Sequence, residues 1–145
     1  MSRGAGLALG FVAGFLAVLL FHQPLIGLFY ATGLGGNAPY ALQPIPPLGV
    51  PRVISLAFWG GVWGIVFALL RPWLPARGWA LLLAGLVFGA LAPTLFGRFV
   101  ITPLRGQAIQ ALTFANLWRG LLVNGAWGLG TAAVMLAAGR GFRRR

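Results

Sequence analysis

Between Gly4 and Phe21 the chain runs without a charged side chain, and its glycines Gly6, Gly10 and Gly14 recur at every fourth position. As a helix rising 1.5 Å per residue, this stretch covers about 27 Å, close to the hydrocarbon thickness of a bilayer. Residues four apart stack on one side of a helix, so the glycines cut a groove where a second backbone can lie close. A membrane helix built to be packed against is the expectation. The basic start and apolar run also fit a signal peptide, but no small-x-small cleavage site follows, and the chain goes on with His22, Gln23 and Pro24. The run is therefore read as a retained span, about residues 4–21.

Three further runs of the same kind follow, at about 53–70, 79–96 and 117–138. Hydrophobic residues make up 59% of the chain and charged residues only 8%. Mean hydropathy is +0.90, outside the balance of a water-soluble domain. The expected fold is all-α: a polytopic four-transmembrane-helix bundle forming one integral membrane domain over residues 1–145. The helix-packing positions are Gly6, Gly10 and Gly14 in the first span, Gly60 and Gly64 in the second, Gly85 and Gly89 in the third, and Gly120 and Gly128 in the fourth. Trp59 and Trp63 stand beside the glycines of the second span, where indoles can fill space next to a close contact.

The connection from His22 to Arg52 holds Pro24, Pro39, Pro44, Pro46, Pro47 and Pro51, too many for one continuous helix. Its apolar first part, PLIGLFYATG, predicts a short half-helix at the interface or dipping into the bundle, capped by Gly33, and the remainder an extended segment along the membrane surface.

The chain also repeats itself. Residues 9–21 align with 84–96 at identical Gly, Val, Gly, Leu, Ala, Leu and Phe positions. Pro24-Leu25-Ile26-Gly27 is echoed by Pro103-Leu104-Arg105-Gly106, and Gly61-Val62-Trp63-Gly64 by Gly125-Ala126-Trp127-Gly128. Two repeated helical hairpins with short interfacial helices, related by an axis along the membrane normal, are the reading, against chance similarity in a Leu/Ala/Gly-rich chain.

All 11 charged residues are arginine; Asp, Glu, Lys and Cys are absent. Paired-acid hydrolysis, hard-cation cages and carboxylate proton relays are closed to such a chain acting alone, as are disulfides and thiolate chemistry. No catalytic residue, metal ligand set or cofactor is assigned, and the chain is not read as an enzyme. Nucleic acid would need a basic face on a water-exposed domain, which four apolar spans do not leave. The arginines must find negative charge in lipid phosphates, solution anions, the C-terminal carboxylate or another protein.

Seven arginines (Arg3, Arg71, Arg77, Arg140, Arg143, Arg144, Arg145) fall on the side of the termini and four (Arg52, Arg98, Arg105, Arg119) on the other. Positive charge is retained inside, so both termini are expected in the cytoplasm, with a bacterial inner membrane as the location. Arg98, Arg105 and Arg119 then stand where positive charge is disfavoured. They are the candidate partner- or anion-binding group, the alternative being guanidinium groups snorkelling to headgroups. Two polar residues fall at or within the spans. His22 is either an interfacial hydrogen-bonding residue or a lone ligand for a pigment, haem or quinone; Asn124 either bonds to a neighbouring helix, with Thr94 or Ser55 as side-chain partners, or lines a pore.

At FHQPLIGLFYATG and LAFWGGVWGIVF the chain resembles small four-span inner-membrane proteins of proteobacteria, a resemblance that implies fold and location and no activity. Small multidrug exporters depend on a membrane-embedded Glu, which is missing here. Fluoride channels are similar in size and glycine content, but their polar track does not align. Two functions remain. One is a non-catalytic accessory, scaffold or assembly subunit that binds anionic headgroups or an acidic partner, in a larger complex or a homodimer. The other is a small channel or carrier for an anion or neutral solute.

Overall fold

In a computed structural model of the chain, residues 2–76 and 78–143 are described, with side chains through residue 139. Arg77 and the terminal Arg144 and Arg145, counted above toward orientation, lie outside the described residues, as do the side chains of Arg140 and Arg143. Helix accounts for 76% of the structure. Four helical stretches are long and apolar enough to cross a membrane: Arg3–Ala31, Arg52–Trp73, Gly78–Leu104 and Phe114–Gly139.

The first stretch is longer than hydropathy implies. Helix α1 (Arg3–Ala17) is capped by Ser2, whose Oγ accepts from the Ala5 N–H at 3.3 Å. A π-helical turn at Val18–His22 then leads directly into α2 (Gln23–Ala31). Pro24 has no N–H to donate, and the turn before it shifts register, so that the Gln23 N–H reaches back five residues to the Val18 carbonyl. PLIGLFYA is thus a continuation of the first span, not a separate interfacial half-helix. It ends as anticipated at Gly33, whose φ of +69° suits glycine; the Leu34 N–H donates to the Phe29 carbonyl at 3.0 Å, closing a Schellman cap.

The same device recurs later. Helix α4 (Gly78–Phe96) runs through a π turn at Gly97–Ile101 into α5 (Thr102–Leu104), with the Thr102 N–H donating to the Gly97 carbonyl just before Pro103. Gly106, also at φ +69°, closes it, and the Gln107 N–H donates to the Thr102 carbonyl at 3.1 Å. The two Pro-Leu-x-Gly segments nonetheless use their glycines differently. Gly106 terminates a helix, whereas Gly27 stays inside α2 and lets Pro39 pack against it.

The segment expected to run extended folds back instead. Strands β1 (Pro44–Ile45) and β2 (Val50–Pro51) pair antiparallel as a small hairpin immediately before α3 (Arg52–Leu70). Helix α6 (Phe114–Arg143) completes the bundle.

Helix α1 lies along α3, and α4 along α6; α1 against α6 joins the two pairs, while the α3 and α4 backbones stay apart and meet through side chains. The close sides are made by glycine. A Cβ added at Gly10 would meet the Gly64 carbonyl oxygen and the Ala68 methyl, both at 2.6 Å. One added at Gly85 would meet the Gly128 carbonyl oxygen at 2.5 Å and the Ala132 methyl at 2.7 Å. Gly14 presses on Gly60, and Gly89 on the Asn124 backbone, in the same manner. Gly120 is different, since only the Thr94 side chain approaches it, its methyl at 3.3 Å and its hydroxyl at 3.8 Å; Gly6 is half-buried. The wide side between α3 and α4 is bridged by rings, with Trp63 edge-on to Phe88 and Phe96 at centroid distances of 6.0 and 5.5 Å. Outward faces carry bare Leu, Val and Phe, an arrangement that lipid tolerates and water does not.

Candidate functional site

The end of the bundle that bears the loops 32–51 and 105–113 opens into a cavity of about 300 Å³. His22 and Gln23 reach it from the turn between α1 and α2, Arg52 from the first residue of α3, and Arg119 and Asn124 from α6. Loop residues from Gly35 to Ala41 cover one wall.

That loop is held by a chain of consequences starting at Pro24. The Gln23 N–H is already committed to Val18, and Pro24 has none to give, so the Leu19 carbonyl has lost its helical donors. The Tyr40 hydroxyl donates to it at 2.7 Å. The Tyr40 N–H in turn donates to Gln23 Oε1 at 2.7 Å, although the residue sits at φ +52°, a left-handed conformation that costs a non-glycine residue about 1 kcal/mol or more. With Oε1 engaged this way, the Gln23 amide nitrogen lies 3.4 Å from His22 Nδ1.

Both guanidinium groups are positioned by neighbours. With its carboxamide oriented so that the oxygen faces Arg52, Asn37 accepts from Nη1 and Nη2 at 3.3 and 3.2 Å. The Arg119 guanidinium lies 5.3 Å from the Trp118 ring centroid, and Trp118 is itself braced edge-on by Phe29 at 5.4 Å. A side chain at Gly35 would collide with it, a Cβ there falling 2.9 Å from Nη1. Two cations therefore face one concavity in a chain without a single carboxylate side chain. Low-dielectric walls concentrate such a field, and the planar forks suit an anionic oxygen group.

The arginine group expected from the sequence is divided. Arg119 lines this cavity. Arg105 lines a neighbouring one of about 540 Å³ that shares Arg52 with the first. Arg98 is turned inward to the following loop: its Nε and Nη2 donate to the Gln110 carbonyl at 3.2 and 2.9 Å, and Nη2 also to Ala111 at 2.8 Å. Backbone carbonyls hold its Nε and Nη2, and Arg98 also lines a third cavity, of about 370 Å³, with Thr102 and Gln107. Arg71 likewise reaches toward the Leu74 and Pro75 carbonyls. Arg52, which sequence reading used only for counting charge, joins both cavities. Its signal was its place directly after Pro51, at the mouth of a span.

Asn124 Nδ2 donates to Thr94 Oγ1 at 2.9 Å, tying α6 to α4, one of the partnerships the sequence suggested. A further tie was not foreseen. Trp127, only 3% exposed, donates from Nε1 to the Gly14 carbonyl at 2.9 Å and joins α6 to α1. Among the described residues no cluster of three metal-ligating side chains occurs. No known protein family, curated protein or solved structure matches the chain.

Proposed function

We propose that this is a non-catalytic integral membrane protein, an accessory or assembly subunit, which captures an anionic group, from lipid or from an acidic partner, in the pocket between Arg52 and Arg119. The observation that carries the reading is the convergence of two guanidinium groups on one cavity in a chain that has no carboxylate side chain to offer them. His22 and Asn124 add polar side chains to the same lining. Native mass spectrometry in mild detergent tests it. The protein should retain phosphatidylglycerol over phosphatidylcholine, and R52Q/R119Q should abolish the preference. Equal retention of both lipids, with no acidic companion protein, would overturn it.

In the same reading the chain is a duplicated pair of helical hairpins, about residues 3–73 and 78–139. Supporting this, the contact Gly10–Gly64–Ala68 is restated by Gly85–Gly128–Ala132, and each π turn precedes its own Pro-Leu pair. With both termini cytoplasmic, as the arginine count favours, the pocket opens on the far side of a bacterial inner membrane. A channel or carrier is the second reading, favoured by a smaller cavity that extends the pocket inward. Against it, Trp63 and Trp127 floor that cavity and lean on Phe88, which rests on Phe67. Liposome flux no greater than that of empty vesicles is the outcome expected here.

A further inference from the structure

The smaller cavity, about 160 Å³, meets the arginine pocket at His22, Leu56 and Asn124, but the rest of its side-chain lining is of another kind: Val18, Trp63, Pro93 and Trp127, with the exposed Trp59 at its edge. It has a second property. Offsets of 75 between the odd spans and 64 between the even ones pair Val18 with Pro93, Gly60 with Asn124 and Trp63 with Trp127, and all six residues line it. The cavity therefore sits where the two halves face each other, on the axis that a duplication would define. Both halves supply walls, but of the three pairs one differs in polarity, Asn124 taking the place that Gly60 holds in the first half. Next to this cavity the α3 and α4 backbones scarcely meet, and Trp63 spans the distance to Phe96.

A charged mouth leading into an apolar, ring-lined recess is the complement of neither a free inorganic anion nor a hydrocarbon. We propose, building on the arginine pocket described above, that the ligand is an anionic amphiphile. Its phosphate-type head lies between Arg52 and Arg119, and one apolar chain passes His22 and Asn124 into the cavity between the halves. Arginine forks recognise the head; the indoles and Pro93 contact the chain. Such a ligand touches both helix pairs and holds them together.

Short alkyl phosphates separate the head from the chain without forming micelles. Affinities of methyl, butyl and hexyl phosphate, with inorganic phosphate alongside, are measured for the detergent-solubilised full chain. Each methylene that enters the recess raises affinity by about fourfold, so hexyl phosphate should bind at least about tenfold more tightly than methyl phosphate. Pro93→Phe, which fills the recess and lies outside the arginine pocket, should remove that rise. Equal affinity for the methyl and hexyl esters, with binding still abolished by R52Q/R119Q, overturns the amphiphile and leaves the anion pocket standing. A rise of wild-type size in folded P93F also overturns it. Phosphate and its esters binding no better to the wild type than to R52Q/R119Q overturns the pocket as well. Should P93F fail to fold, the wild-type series decides alone. Tighter binding of phosphatidylglycerol than of hexyl phosphate would identify bilayer lipid as the source.

Discussion

At the scale of single residues, the site depends on a proline that does not line it. Pro24 removes a donor, the π turn reroutes another, and the freed Leu19 carbonyl is met by the Tyr40 hydroxyl at 2.7 Å. Tyr40 also presents its N–H to Gln23, so one residue fixes the loop that walls the pocket. Tyr40→Phe should lower stability by about 1 kcal/mol, the usual net worth of such a bond. It should also speed amide exchange from Gly35 to Ala41. Unchanged exchange there, measured by mass spectrometry, would mean that the loop is held by other contacts. Arg98 teaches a related lesson. A guanidinium without an acid in its chain can be held by loop carbonyls through Nε and Nη2 while it still lines a cavity.

At the scale of elements, glycine decides which helices touch. In lipid no hydrophobic gain drives two helices together, and close packing of small residues must supply the attraction. A Cβ at Gly64 would run into the Gly10 carbonyl, which is backbone and cannot turn aside. Gly64→Ala is therefore expected to cost about 1–3 kcal/mol through overpacking, seen as a lower unfolding midpoint in detergent. Gly97→Ala, with nothing within 4 Å, should be neutral or stabilising by up to about 1 kcal/mol. Equal effects of the two substitutions would contradict the packing described. Where glycine is missing, between α3 and α4, aromatic rings fill the distance and a recess remains.

At the scale of the whole molecule, two tightly packed helix pairs meet through α1 and α6, with the Trp127–Gly14 hydrogen bond buried in the contact and Phe21 lying on Gly130. Helices that are each stable in the bilayer can associate after insertion. Residues 1–76 and 77–145, co-expressed as separate chains, should consequently co-purify. Trp127→Phe should weaken that association several-fold, since interhelical bonds in membranes contribute roughly 0.6 kcal/mol and at most about 1.7. Halves that never co-purify, though each is inserted, would show that the linker rather than the interface keeps them together. The cavities lie along this same meeting of halves, which is why pocket and assembly are linked.

What the sequence determined by itself was local: four spans, from runs of apolar residues, and the faces of those spans, from glycines four apart. The Asn124–Thr94 tie was legible because a carboxamide within a span needs a partner and few polar groups lie within reach. The lengthening of the first and third spans was hidden because a π turn accommodates a proline that hydropathy reads as a stop. Only the tertiary structure decided which arginines act together. Arg52 and Arg119 are far apart in sequence and are brought to one cavity by the packing of α3 and α6 against α1, while Arg98, near Arg119 along the chain, is drawn into its own loop. Charge is written residue by residue, but a binding site is a distance between residues, and in this bundle that distance is set by which backbones glycine allows to touch.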